Sequence, residues 1–146
     1  MRVLGIDFGD RTIGLALSDA LRLTAQPFGI YRRQGSEEDD RRYFQDLVAR
    51  HDVGEIVVGL PLRMDGTAGT RAEKTRRFAA WLGRAVGLPI LFWDERLTTR
   101  EALSVLREQN VRGARKKAAE DQVSAVIILS AYLERKRSEG DAAPDR

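Results

Sequence analysis

The first 32 residues hold three short apolar runs, and this opening restricts the fold more than any other part of the sequence. Runs 3–6 and 12–17 flank the polar, glycine-containing segment Asp7–Arg11, which predicts an antiparallel hairpin. The third run, 26–32, contains Pro27. Because proline cannot donate a ladder hydrogen bond, this strand is expected at the edge of a sheet. The opening therefore predicts a three-stranded antiparallel meander.

After the meander, helical patterns and apolar runs alternate. The first helix is opened by Ser36 and an acidic first turn, and a strand at 55–60 follows it. Next come a helix at 70–86, with a Thr70–Glu73 capping box, and a strand at 89–93. A helix at 98–109, with a Thr98–Glu101 capping box, precedes a last helix that ends near Arg137. This order predicts an α/β fold, a mixed five-stranded sheet that is antiparallel at first and then parallel, flanked by helices.

Size and composition exclude several classes of protein. A length of 146 residues suits one domain, placed at 1–137, and the small, polar segment 138–146 is expected to be a disordered tail. The sequence has no cysteine and one histidine, His51, which excludes disulfides, zinc fingers and histidine-rich metal sites. The longest apolar stretch, Val123–Leu133, is shorter than the ~20 residues of a membrane span, and no signal-peptide pattern opens the chain. We expect a cytoplasmic protein without a membrane partner.

Three carboxylates occupy positions that are unfavourable for folding unless they have a function. Asp7 ends the first apolar run and Glu95 follows the fifth, while Asp121 shares a helix face with the apolar residues four, seven and eleven positions later. Buried carboxylates are usually paired, hydrogen-bonded or bound to a cation. If the strand ends converge at one edge of the sheet, three oxygen ligands there predict a site for Mg²⁺ or Mn²⁺. Such a site suits phosphodiester hydrolysis.

Each carboxylate also has a purely structural interpretation. Asp7 can be an ordinary turn residue, and Asp121 can face the N-terminal dipole of its helix. Glu95 can pair with Arg96 or Arg100. The residues alone leave both interpretations open.

Four blocks of sequence carry a family resemblance. They are DFGDRTIGLA at 7–16, VGLPLRMDGT at 58–67, WDERLTT at 93–99 and DQVSAVIIL at 121–129. In order and spacing they closely resemble the YqgF (RuvX) family, described as Holliday junction resolvases and as pre-16S rRNA nucleases, over about residues 1–133. The resemblance implies a ribonuclease-H-like fold. One departure is Ser124, where many members have alanine.

The resemblance also implies a catalytic site. It places the family's acidic triad on Asp7, Glu95 and Asp121, and implies that they hold Mg²⁺ or Mn²⁺, with two ions expected. Asp94 adjoins Glu95, but strand alternation is expected to send its side chain the other way.

Basic residues near these carboxylates are candidates for holding a nucleic-acid backbone. The net charge is only +3, so such binding depends on local clusters. The candidates are Arg11, Arg63, Arg96, Arg115, Lys116 and Lys117, with Arg112 beside the last three. An ordinary solvated surface is the alternative for each. By contrast, Arg71, Lys74, Arg76, Arg77 and Arg84 are interpreted as surface charge, Trp81 and Trp93 as core residues, and His51 as exposed.

The leading hypothesis is a metal-dependent nuclease that processes the 5′ end of pre-16S rRNA in ribosome biogenesis, with ribosome association left open. One alternative is a Holliday junction resolvase acting on branched DNA in recombination and repair, which needs two sites and therefore a homodimer. Another is a non-catalytic nucleic-acid-binding module, against which the presence of all three carboxylates argues. An actin-like or sugar-kinase ATPase also opens with Asp-x-Gly and a hairpin, but it needs a much longer chain.

Overall fold

The computed structural model describes the backbone of residues 1–98 and 116–142, and the side chains of 1–98 and 122–139. The strands are β1 (Arg2–Phe8), β2 (Thr12–Ser18), β3 (Ala25–Arg32), β4 (Val53–Leu60) and β5 (Ile90–Asp94). The helices in this part of the chain are α1 (Glu37–Arg50), α2 (Thr70–Val86) and α3 (Lys116–Ala142), with a 3₁₀ turn at Glu95–Leu97.

The five strands form one mixed sheet in the order β3-β2-β1-β4-β5. Strand β2 pairs antiparallel with β1 and β3, whereas β4 pairs parallel with β1 and β5. Strand β3 lies at the edge, and Pro27 sits beside a bulge where Leu15 pairs with Gly29 and Ala16 with Pro27. Both the predicted mixed sheet and the predicted edge position of the proline strand are confirmed.

The sheet separates two hydrophobic cores. Helices α1 and α2 cover one face, where the buried side chains include Leu4, Ile6 and Phe44. Helix α3 covers the other face, where Val57 and Leu129 are buried. Because side chains alternate along a strand, Val3, Gly5 and Asp7 of β1 all belong to the α3 face.

Helix α3 runs antiparallel to β1. The hydroxyl of Tyr132 donates to Glu55, which pairs with Val3 near the start of β1. Further along the strand, Gly5 lies so close to α3 that a Cβ there would be 2.7 Å from the Cβ of Leu129. Helix numbering therefore falls as strand numbering rises, and the N-terminal turns of α3 point toward the carboxyl end of β1.

The helix termini agree only partly with their predicted signals. Ser36 caps α1 as predicted, with its hydroxyl accepting from the Asp39 amide. The Thr70–Glu73 capping box is wrong, because Gly69 is the N-cap and Thr70 is already helical. A hydroxyl inside the helix cannot reach the first free amides, and the Glu73 carboxylate turns to Arg76 instead.

Three further expectations concern the later part of the chain and one histidine. The helix predicted at 98–109, with its capping box, lies outside the described residues apart from Thr98. The last helix passes the predicted end at Arg137 and continues to Ala142. His51 is half-buried rather than exposed, since its ring meets that of Phe28 edge-on. Among the described residues, no helix has the length and apolar composition that crossing a membrane requires.

Candidate active site

The carboxyl ends of β1, β4 and β5 lie side by side at one edge of the sheet. The pairs Ile6–Val58 and Leu60–Asp94 fix this alignment. Asp7 comes one residue after Ile6, is half-buried, and shares the α3 face with Gly5. In open parallel sheets, ligands bind at the carboxyl ends of the strands. Asp7 therefore occupies the edge where a ligand site is expected.

Glu95 reaches the same edge from β5. It is the first residue of the 3₁₀ turn that follows the strand, an element that the sequence analysis did not predict. Its carboxylate packs against Gly59, where an added Cβ would lie 3.2 Å from the Glu95 Oε2 atom. The Oε2 atom is buried and has no hydrogen-bond partner among the described residues. The residue as a whole is half-buried, but its Oε2 atom is a buried acceptor that lacks a donor in this part of the chain.

Burial and two neighbouring charges shift the pKa of the Glu95 carboxyl. Burial raises the pKa of its carboxyl, and the positive charge of Arg71 partly opposes that shift. The nearby carboxylate of Asp94 raises the pKa further. A carboxylate in this environment is stabilised by an additional positive charge, since neither burial nor a neighbouring carboxylate favours its ionised form.

Asp94 has a different role from its neighbour. Its carboxylate caps the 3₁₀ turn by accepting a hydrogen bond from the Arg96 amide. The same carboxylate pairs with the Arg96 guanidinium at 2.7 Å. The hydrogen bond from that guanidinium is the main cause that lowers the pKa of Asp94. Arg96 therefore pairs with Asp94 rather than with Glu95, whereas Arg100 lies outside the described residues.

The third predicted carboxylate, Asp121, is located by its backbone alone. Residue 121 lies in α3, but its side chain is outside the described part of the molecule. It precedes Ala125, whose carbonyl oxygen lies near Gly5, on the stretch of helix that runs toward Asp7 and Glu95. Among the described side chains, no three His, Cys, Asp or Glu residues are grouped as metal ligands. The trio of carboxylates therefore depends on Asp121.

The predicted basic residues divide into three sets. Arg11 and Arg63 are exposed on loops that leave the carboxyl ends of β1 and β4. Arg96 is exposed but bound to Asp94, and it also donates to the Met64 carbonyl, so its guanidinium braces the loop after β4. The side chains of Arg115, Lys116 and Lys117 lie outside the described residues.

Two residues near Glu95 were missed as site residues in the sequence analysis. Gly59 lies within a block of family resemblance, but only the packing shows that its missing side chain makes room for the Glu95 carboxylate. Arg71 was interpreted as surface charge, although its field acts on Glu95. The helical pattern of α2 could not reveal which of its polar sides faces the sheet edge.

The mixed five-stranded sheet with helices on both faces is a ribonuclease-H-like fold. The fold matches Thermus thermophilus RuvC, solved in complex with a Holliday junction substrate, with a TM-score of 0.62 and 14% sequence identity over 94% of this chain and 96% of that one. At that identity the match shows the fold alone.

Sequence comparison gives the particular family. The family model described as "RuvX: Holliday junction resolvase" matches residues 1–135. Two relatives, from Lachnospira eligens and Halothermothrix orenii, carry the name "Putative pre-16S rRNA nuclease". The first is 47% identical over 94% of this chain and 99% of its own length, and the second is 46% identical over 91% and 94%. The chain belongs to the RuvX family, a family of nucleases.

Proposed function

We propose that this chain is a divalent-metal-dependent nuclease whose catalytic carboxylates are Asp7, Glu95 and Asp121. The observation that carries the proposal is the buried Oε2 atom of Glu95, which has no hydrogen-bond partner in the part of the chain that the structure describes, at the sheet edge that Asp7 also occupies. Buried carboxylate oxygens without donors are costly unless a cation is bound. The backbone course of α3 supports the third position, because it brings residue 121 toward the same edge.

The donor set fits Mg²⁺ or Mn²⁺. All three proposed ligands are carboxylates, and oxygen-only sites suit hard divalent cations. When bound, two such ions would lower the pKa of the attacking water and stabilise the leaving oxygen of the phosphodiester. Gly59 keeps space open beside the Glu95 carboxylate, and Arg71 adds positive charge next to it. Arg11 and Arg63, on loops at the same end of the sheet, would hold substrate phosphates.

The proposed substrate is the precursor of 16S rRNA, trimmed at its 5′ end. The names of the relatives from Lachnospira eligens and Halothermothrix orenii support this choice, as does the near-complete coverage of both chains. A pre-rRNA substrate would place the protein in the cytoplasm, in contact with assembling ribosomal particles.

The test is cleavage of a 16S precursor carrying its 5′ extension, in Mg²⁺ and in Mn²⁺. Asp7→Asn, Glu95→Gln and Asp121→Asn should each reduce the initial rate at least a hundredfold while RNA binding in EDTA is kept. Gln122→Ala, next to the third carboxylate on the same helix, serves as the matched control and should cleave at the wild-type rate. If wild type binds the precursor but cleaves nothing in either metal, the chain is a binding module and the nuclease proposal fails.

A second candidate function is resolution of Holliday junctions. The description of the matching family model favours it. Symmetric resolution needs two active sites facing opposite strands, and therefore a symmetric dimer. Paired nicks in a four-way DNA junction, together with a dimer in sedimentation equilibrium, would support resolution over rRNA processing. A monomer that trims the precursor and leaves the junction intact would exclude it.

A further inference from the structure

A cavity of about 640 Å³ lies behind the proposed active site, on the α1 and α2 face of the sheet. Its apolar lining is aromatic: Phe8 stacks on Phe78 with ring centroids 4.4 Å apart, and Trp81 lies 5.9 Å from Phe78. Its size falls within the roughly 300–1,000 Å³ typical of small-molecule sites. The cavity is thus large enough for a nucleobase and has flat rings against which a base can stack.

The rim of this cavity is rich in cations. The four basic side chains that line it are Arg11, Arg33, Lys74 and Arg77. The three acidic ones are Asp10, Glu37 and Asp40. The acidic groups are all engaged in hydrogen bonds or ion pairs, with the basic residues Arg33, Arg41 and Lys74 among the partners. Arg11 and Arg77, in contrast, form no ion pair with the described part of the chain. The charge available to a ligand is therefore positive.

Two smaller depressions adjoin this cavity and share lining residues with it. Phe8, Asp10 and Lys74 also line a small pocket with Gly9 and Arg71, beside the turn that follows Asp7. Arg71 is the residue whose charge acts on Glu95. A third depression extends from Lys74 and Arg77 to Arg63, on the loop after β4. Because these three depressions share lining residues, we name them together the α2 trough, which extends from Arg63, on the loop after β4, past Arg71 to the aromatic cavity.

One side of helix α2 forms the basic wall of the α2 trough. Arg71, Lys74 and Arg77 are spaced three residues apart, so their side chains lie along the same side of the helix. Arg76 and Arg84 line a different depression, beside Phe92 of β5. All five residues interpreted as surface charge are exposed, and the depressions that they line divide them into a trough side and a far side.

We propose that the α2 trough binds the single-stranded segment next to the cleaved bond, with phosphates along Arg71, Lys74 and Arg77 and one unstacked base in the aromatic cavity. This inference rests on the proposed nuclease function and specifies its substrate as a single strand. A base inside a duplex is stacked on both sides and cannot enter a cavity, whereas a single-stranded base can stack on an aromatic ring. Cations along the path would bind the backbone without reading its sequence.

Binding in EDTA tests this inference separately from catalysis. Fluorescence anisotropy would measure the affinity of the full chain for a labelled single-stranded RNA and for the corresponding duplex. Arg71→Ala and Arg77→Ala should each weaken single-strand binding about fivefold and lower the salt slope by roughly 0.7. Arg76→Ala and Arg84→Ala remove the same charge from the far side of the same helix and should leave both values unchanged.

The aromatic cavity has its own readout. The chain has two tryptophans, and Trp93 is buried under α3, so quenching by a stacked base should come from Trp81. Single-stranded RNA should quench wild-type fluorescence, and Trp81→Phe should abolish most of that quenching.

The outcomes separate the two proposals. If wild type binds single strands as expected but cleaves nothing, the proposal for the α2 trough stands and the nuclease proposal fails. Equal weakening by Arg76→Ala and Arg77→Ala, tighter binding of the duplex than of the single strand, or unchanged Trp81 fluorescence would each overturn the inference.

Discussion

The carboxylate of Glu95 packs closely against Gly59, where the residue has no side chain. A Cβ at position 59 would lie 3.2 Å from both Cδ and Oε2 of Glu95, and it would also collide with Ile128 of α3. Gly59 has no positive φ, so its conformation is open to any residue. The glycine is needed for the room that it leaves between the sheet, α3 and the proposed catalytic carboxylate.

Gly59→Ala should therefore damage both stability and activity. Overpacking of this kind costs about 1–3 kcal/mol, which urea unfolding would measure. The cleavage rate should fall at least tenfold because Glu95 must move. Gly29→Ala is the matched control, since no atom of the described residues lies within 4 Å of a Cβ there. If both variants cleave at the wild-type rate, the position of Glu95 is not set by Gly59.

Divalent metal should stabilise the protein through Glu95. A ligand that binds only the folded state at 100 times its Kd adds about 2.7 kcal/mol, so Mn²⁺ should raise the Tm of wild type. Glu95→Gln keeps the shape of the side chain but loses a charged ligand, and its Tm should not respond to Mn²⁺. An equal rise in Tm for both proteins would place the metal elsewhere. This measurement needs no substrate.

Removing the charge of Asp94 should reduce the cleavage rate much less than removing the charge of Glu95. Asp94 caps the 3₁₀ turn and holds Arg96, so Asp94→Asn should loosen the loop after β4 and lower cleavage only several-fold. Glu95→Gln should remove nearly all activity without loss of folding. Parallel rate measurements on the two variants decide the matter, and a greater loss for Asp94→Asn would reverse the assignment.

Tyr31 should make the protein sensitive to alkaline pH. Its hydroxyl donates to the buried Asp40 carboxylate at 2.7 Å, and burial with this contact raises the pKa of Tyr31 to about 12. In the unfolded chain the pKa is about 10. The folded state thus holds the phenolic proton more tightly, so the stabilisation is complete below pH ~10 and is lost as the pH rises toward 12.

Tyr31→Phe gives the measurement for this pH effect. At neutral pH the variant should be less stable by about 1 kcal/mol, since Asp40 loses a donor. Between pH 10 and 12 the difference from wild type should shrink, because only wild type carries the titrating Tyr31. Tyr132 is present in both proteins and cancels. A difference that stays constant with pH would show that Tyr31 titrates normally.

The order of strands and helices could be predicted because hydrophobic period and turn chemistry are local properties. Examples are the hairpin formed by β1 and β2 and the cap of α1 at Ser36, which are both present in the structure. The start of α2 could not be predicted in the same way, since the loop from Arg63 places Gly69 at the cap. Local spacing in the sequence does not contain that tertiary constraint.

The candidate site shows the same division. Asp7 and Glu95 end or follow apolar runs and could be selected from the sequence, and the strands that carry them end at one edge of the sheet. Arg71 could not, because α2 is charged on several sides and only its packing against the sheet shows which side faces Glu95. The division of the α2 arginines between the trough and the far side likewise depends on the sheet edge.

Because α3 lies so close to Gly5, the interval between residues 121 and 129 of that helix determines where position 121 lies relative to the sheet edge. Leu129 and the Ala125 carbonyl lie against that glycine, so this part of α3 packs directly on the β1 backbone. Residue 121 lies eight positions earlier, about 12 Å along the axis. A single inserted residue between them would swing position 121 by about 100° around the helix. The number of residues between the Gly5 contact and position 121 therefore determines where around the helix that position lies.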